Sequence, residues 1–284
     1  MVICMSEKDL SSFDIRVDLI NEINIKETKE ISNYENIKVE RITLNEGLAK
    51  KIKKRKGNYI SIIFNDATDI ENRKNIERIL TNELKSLLDK NGLINKSCLT
   101  VGLGNKLSTP DSLGPKTVDN VITTRHLFVL DNLDENYNVV SKIIPGVFAT
   151  TGIETYDIIK GIVDRTKPDF LIVIDSLKSS NIKNINKVIQ ITDSGIDPGS
   201  GVGNQRKEIS QKTLERKVIV IGIPTVVNLH TIVKDFLDEY DIDEILKQKK
   251  NNFLVTPKDI DFEIEKLSLI LANAINNSLH KLTK

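Results

Sequence analysis

Two aspartates stand where this sequence could use carboxylates for chemistry. Asp175 directly follows the apolar run Phe170-Leu-Ile-Val-Ile174, and Asp111 lies in Leu107-Ser-Thr-Pro-Asp-Ser-Leu-Gly-Pro115, shortly after an apolar run that ends at Val101. A carboxylate at the end of a buried run is partly desolvated, which raises its pKa unless a partner offsets the lost water. Two such groups brought together hold one shared proton. The ionised member can then take a proton from water as it attacks a carbonyl, while the protonated member polarises that carbonyl and helps the amine leave. Each residue alone has a structural reading of equal weight: Asp175 as a helix cap, Asp111 as the end of a loop before the Ser-Leu-Gly-Pro turn.

Other chemistries fit less well. Gly102-Leu-Gly104-Asn105 begins like a dinucleotide fingerprint, but Leu107 stands where the third glycine is needed, and no Gly-Lys-Ser/Thr phosphate loop is present. His126, His230 and His280 are scattered without zinc-ligand spacing, so no metal and no other cofactor is expected, although a hard cation held by Asp111 and Asp175 remains an alternative. No serine sits on a Gly-x-Ser-x-Gly elbow. Cys98 reads as strand packing. The segment Thr192 to Glu208 carries glycines at 195, 199, 201 and 203, which suit either close approach of a peptide or anion to bare N–H groups or a flexible surface loop. Gly102, Gly104, Asn105, Asp193, Gly199, Ser200 and Gly201 are the candidate substrate-binding or site-supporting residues. The basic run Lys51 to Lys56 precedes Gly57-Asn58 and reads as a solvated turn.

Elements must position these residues. Ile37, Val39, Ile42 and Leu44 read as short strand pieces, and Tyr59 to Phe64 as a half-buried strand. Ile76, Leu80, Leu84, Leu87 and Leu88 predict an amphipathic helix between Asp66 and Lys90, closed by Asn91-Gly92. Ser97 to Val101, Phe170 to Ile174 and Lys217 to Gly222 read as buried strands. Thr151-Gly-Ile-Glu154 predicts a capping box opening a helix to about Arg165, with Ile158, Ile159, Ile162 and Val163 inward. Thr256-Pro257 predicts the start of a last helix, with Ile260, Ile264, Leu267, Leu271, Ala274 and Ile275 as its buried stripe. Buried strands alternating with helices predict an α/β fold, a mainly parallel twisted sheet with helices on both faces. Its ligands would bind beyond the carboxyl ends of the strands.

The 284 residues suffice for one large domain, and 41 basic against 40 acidic side chains leave a net charge of +1, so no bulk field draws the chain to nucleic acid or membrane. Two cysteines and no secretory or membrane-spanning pattern lead to the expectation of a cytoplasmic protein.

The residues carry a resemblance. Phe13-Asp-Ile-Arg-Val-Asp-Leu19, Val101-Gly-Leu-Gly-Asn105, Thr109-Pro-Asp-Ser-Leu-Gly-Pro115, Thr124-Arg-His-Leu-Phe128, Pro145-Gly-Val, Thr151-Gly-Ile-Glu-Thr155, Lys167-Pro-Asp-Phe170, the Asp193 to Arg206 segment, Gly222-Ile-Pro-Thr-Val-Val227 and Val255-Thr-Pro-Lys258 together resemble the germination protease family of spore-forming bacteria. The resemblance implies an endopeptidase that degrades small acid-soluble spore proteins on germination, with Asp111 and Asp175 as catalytic aspartates and a fold similar to hydrogenase-maturation endopeptidases. It further implies a self-processing zymogen cut between Phe13 and Asp14, giving residues 1–13 as propeptide arm and 14–284 as a single protease domain. A homotetramer in the forespore or spore core, with no direct nucleic-acid partner, completes the expectation. Ser176 to Ser180 and Asn228 depart from the family pattern, and a long insertion found in some members near 240–252 is missing. A metal-dependent hydrolase using the same carboxylates and a non-catalytic module that captures spore proteins are the alternatives.

Overall fold

The computed structural model describes residues 29–52, 54–132, 134–198, 206–237 and 253–282. The expectations on Phe13, Asp14, Gly199, Ser200 and Gly201, and on the arm as a whole, lie outside the described residues.

In chain order the elements are β1 (Lys29–Tyr34), β2 (Ile37–Leu44), α1 (Glu46–Lys51), β3 (Gly57–Phe64), α2 (Ile70–Lys90), β4 (Cys98–Gly102), a 3-10 turn at Thr109–Asp111 and α3 (Leu113–Asp119). There follow α4 (Arg125–Val129), β5 (Val140–Ile143), α5 (Phe148–Thr151), α6 (Thr155–Thr166), β6 (Phe170–Ser179) and β7 (Val188–Thr192). The last are α7 (Gln211–Leu214), β8 (Lys217–Asn228), α8 (Leu229–Phe236), β9 (Leu254–Val255) and α9 (Ile260–Leu279).

One nine-stranded sheet has the order β1-β2-β3-β7-β8-β6-β4-β5, with β9 added on β8. β5, β4, β6 and β8 run parallel, whereas β7, β3, β2 and β1 extend the sheet in antiparallel fashion. The α/β fold with both faces covered is thus present, its parallel half carrying the crossover helices. Alternation along β6 sorts the core. Phe170, Ile172 and Ile174 pack with Leu84 and Leu87 of α2, Val118 of α3 and Leu271 of α9 on one face. Leu171, Val173 and Leu177 pack with Tyr156, Ile159 and Val163 of α6 on the other. Asp175 continues the second row, so its side chain belongs to the α6 face.

Three boundaries differ from expectation. β6 runs on to Ser179, so Asp175 lies within a strand and caps no helix. The reason is its companion β8, which supplies ladder partners from Asp175↔Gly222 to Ser179↔Val227 across a bulge, while β4 stops opposite Ile174. The capping box does not form: Gly152, left-handed at φ 69°, ends α5, and α6 starts three residues later with Glu154 at its N-cap. Ile158 and Ile162 are consequently only part-buried. Finally, α9 starts at Ile260, because the Thr256 hydroxyl donates to the Thr225 carbonyl (2.9 Å) and so ties the chain to β8.

Candidate active site

The Asp111 carboxylate is placed by two close approaches that glycine permits. Gly102, the last residue of β4, and Gly114, in the first turn of α3, lie against each other; a Cβ on Gly102 would sit 2.5 Å from the Gly114 carbonyl oxygen. A Cβ on Gly114 would sit 2.6 Å from the Ile174 carbonyl oxygen, so α3 is pressed onto the ends of β4 and β6. Gly104 has φ +109°, a region L side chains rarely adopt, and a Cβ there would lie 2.1 Å from the Asp111 carbonyl oxygen and 3.0 Å from Oδ1.

Hydrogen bonds hold this turn. The Asn105 N–H donates to Asp111 Oδ2 (2.8 Å) and also to the Asp111 carbonyl (3.1 Å). Asn105 Oδ1 accepts from the Leu107 N–H (3.0 Å), and the Thr225 hydroxyl of β8 donates to the Pro110 carbonyl (2.7 Å). The Thr109–Asp111 turn therefore bridges from the end of β4 across to β8 and packs against β6 on the way.

Asp175 is 7% exposed. The Leu103 N–H bonds the Ile174 carbonyl (2.8 Å), so the main-chain groups of Ile174, and by alternation those of Ser176, face the side where β4 runs. β4 has no strand residue level with Ser176, and the Ser176 N–H instead donates to Asp175 Oδ1 (3.0 Å). The Asp175 carboxylate thus leans toward the gap that the Gly104 to Asp111 turn borders. Both aspartates belong to the same carboxyl-terminal end of the parallel strands. Burial pushes the Asp111 carboxyl above its ordinary value, opposed by the Asn105 N–H and by the charge of Arg206. Among the described residues, no three or more His, Cys, Asp or Glu side chains gather as a metal-ligand set.

Asp193 is placed elsewhere. β7 runs antiparallel to β8, with Gln190 opposite Gly222 and Thr192 opposite Val220, so Asp193 lies toward the amino ends of the parallel strands, away from the row of Asp175. There it accepts from the Asn58 N–H (2.7 Å), the Asn58 side chain (2.7 Å) and the Asn91 side chain (3.0 Å). That makes it a staple between the start of β3 and the end of α2. Its position follows from β7 inserting between β3 and β8, which no local pattern announces.

Sequence reasoning missed four residues on this side of the molecule. Arg206 places its charge near Asp111, and the next residue, Lys207, sets its Nζ 3.8 Å from the centre of the Tyr156 ring at the start of α6. Tyr156 donates its hydroxyl to the Thr213 carbonyl (2.8 Å), and Glu154, two residues earlier, stands at the N-cap position of α6 without a side-chain bond to it. The Arg206-Lys207 pair was visible in the sequence, but nothing in it indicated that the chain returns across the strand ends.

Fold and site together define an α/β protein with one carboxylate on a central strand, Asp175, and another on the turn that follows β4, Asp111, both at the carboxyl-terminal end of its parallel strands. The family model described as germination protease, a peptidase family, matches residues 4–241. Germination protease of Bacillus cereus (strain ATCC 10987 / NRS 248) is 35% identical over 353 aligned positions, covering 96% of this chain and 95% of that protein. Germination protease of Bacillus licheniformis is 36% identical over 350, with the same coverage. Both alignments are longer than the chain, so these relatives carry residues it lacks. Among solved structures, the NiFe hydrogenase maturation protease HycI from Thermococcus kodakarensis KOD1 is similar with a TM-score of 0.32 and 12% identity, over 63% of this chain and 92% of that one. The chain belongs to the germination protease family. No helix among the described residues is long and apolar enough to cross a membrane.

Proposed function

We propose that the chain is an endopeptidase that opens small acid-soluble spore proteins at internal peptide bonds, with Asp111 and Asp175 as an aspartate pair that activates water. The observation supporting this reading is that both carboxylates lie at the same carboxyl-terminal end of the parallel strands, one held by the Gly104 turn after β4 and one on β6 where β4 has stopped. Gly102, Gly104 and Asn105 support the site by letting that turn close on Asp111. In the reaction, the ionised aspartate takes a proton from water as the oxygen adds to the scissile carbonyl, and the protonated aspartate donates to the carbonyl oxygen. On collapse, the aspartate that took the water proton gives it to the departing amine while a hydroxyl of the tetrahedral gem-diol passes its proton to the other aspartate, leaving the pair singly protonated again. Burial of Asp111 favours the shared proton, and the Asn105 N–H and Arg206 keep the ionised form accessible.

By family likeness, the protein is made as a zymogen that cuts itself between Phe13 and Asp14, works as a homotetramer and acts in the cytoplasm of the forespore or spore core. The test is mass spectrometry of a purified small acid-soluble spore protein incubated with the chain and excess chelator. Discrete internal cuts that persist under chelation are expected. Uncut substrate with and without chelator would reject the endopeptidase, and cuts abolished by chelation would replace the aspartate pair with a metal-dependent reaction at the same residues.

A further inference from the structure

We propose that Glu154 is a substrate-binding residue whose carboxylate accepts a main-chain N–H of the peptide chain being cut. The proposal rests on the peptidase reading above and adds a contact to it. α6 is the crossover between the parallel strands β5 and β6, so its N-terminus stands at the carboxyl ends of those strands and on the face to which Asp175 belongs. Residues Arg206 and Lys207 span the same region, one with its charge near Asp111 and the other against the Tyr156 ring. Glu154 is two residues from Tyr156 and is held in place by its own carbonyl, which accepts from the Asp157 N–H (2.9 Å) and the Ile158 N–H (3.3 Å).

One oxygen of its side chain is unspoken for among the described residues. Glu154 makes no side-chain capping bond to α6, and its Oε2 is buried with no hydrogen-bond partner among the described residues. A buried carboxylate oxygen left without a donor is costly, and the positive end of the helix lowers that cost without supplying a bond. The two aspartates are already engaged by N–H groups, Asp111 by Asn105 and Asp175 by Ser176. Among the described residues, Glu154 is an acceptor on the α6 side of the site open to a donor arriving with substrate, and an extended peptide offers main-chain N–H groups at regular spacing.

The test uses the full chain and a synthetic peptide spanning one of its cut sites in a small acid-soluble spore protein. Non-scissile amides of the peptide are replaced one at a time by esters, which lack the N–H. With the native chain, one ester position should raise KM about tenfold with kcat within about twofold, the size of one hydrogen bond to a charged group. In Glu154→Ala, KM for the all-amide peptide should rise by a similar factor and that ester should cost nothing further. Glu154→Gln, which keeps the shape of the residue and an acceptor oxygen, should fall between them and stands in if the alanine variant does not fold. An unchanged KM in Glu154→Ala, or an ester penalty that persists in full in the variants, overturns the proposal. Activity surviving Asp111→Asn and Asp175→Asn would instead refute the aspartate pair while leaving the ester result standing.

Discussion

Gly104→Ala is the substitution whose consequences follow most fully from the geometry. The added methyl meets the Asp111 carbonyl oxygen at 2.1 Å and Oδ1 at 3.0 Å, and the residue sits at φ +109°. The backbone conformation alone costs an L residue about 1–3 kcal/mol. Relief of a main-chain contact more than 1 Å too short must push the Thr109–Asp111 turn outward. That strains the Asn105 bonds to Asp111 Oδ2 (2.8 Å) and to its carbonyl (3.1 Å), a further loss of about 1–3 kcal/mol. A total of about 2–6 kcal/mol corresponds to roughly 3–10 °C in Tm for a chain of this size. A displacement of about 1 Å in the Asp111 carboxylate should lower kcat about a hundredfold. Gly92→Ala is the matched control: it too has positive φ (+68°), but a Cβ there meets nothing within 4 Å. It should cost about 1–2 kcal/mol and leave kcat unchanged. Thermal unfolding and initial cleavage rates at a temperature where both variants are folded give the comparison. A Gly104→Ala enzyme with native kcat would show that Asp111 does not depend on the turn, and the positioning argument would fail.

Other expectations follow from single contacts. Asp193→Ala should remove about 2–4 kcal/mol of stability through the lost bonds to Asn58 and Asn91, with activity per folded molecule retained; a selective loss of kcat would move Asp193 into the site. His280 is buried, its Nδ1 accepts from the Asn138 N–H (3.2 Å), and burial holds its pKa below the usual histidine value of 6.5. Because the folded state binds the proton less readily than the unfolded one, stability contributed by neutral His280 is complete above about pH 6.5 and falls as pH drops through the lowered folded pKa. Urea unfolding between pH 7.5 and 5 should show this slope reduced in His280→Gln, and identical slopes would contradict it. The fully buried Cys98 thiol, with its pKa raised by desolvation, should resist iodoacetamide until the protein unfolds; native-state modification found by peptide mapping would contradict its place in β4.

Local pattern carried much of this architecture. The apolar runs at Cys98 and Phe170, the stripe from Ile76 to Leu88 and the glycines after Val101 each fixed an element or turn through a few adjacent residues. What local pattern could not carry was pairing. β7 enters the sheet antiparallel between β3 and β8, so Asp193, adjacent to a glycine-rich segment in sequence, ends as a staple on the start of β3. Asp175 looked like a strand end because a charge followed five apolar residues, yet Leu177 and Ser179 are buried beyond it and β8 keeps the ladder going. Glu154 looked like the back half of a capping box until Gly152 turned left-handed and shifted the helix start. In each case a partner remote in sequence decided the outcome.

The most direct test of the aspartate pair is the rate of spore-protein cleavage by Asp111→Asn and Asp175→Asn, each with circular dichroism and Tm confirming a folded chain. Asparagine keeps the shape and removes the titrating carboxyl, so both variants should lose about a thousandfold or more in kcat, with the double variant little worse than either single one, as expected of groups acting as a unit. Native-like cleavage by either folded single variant would contradict the account.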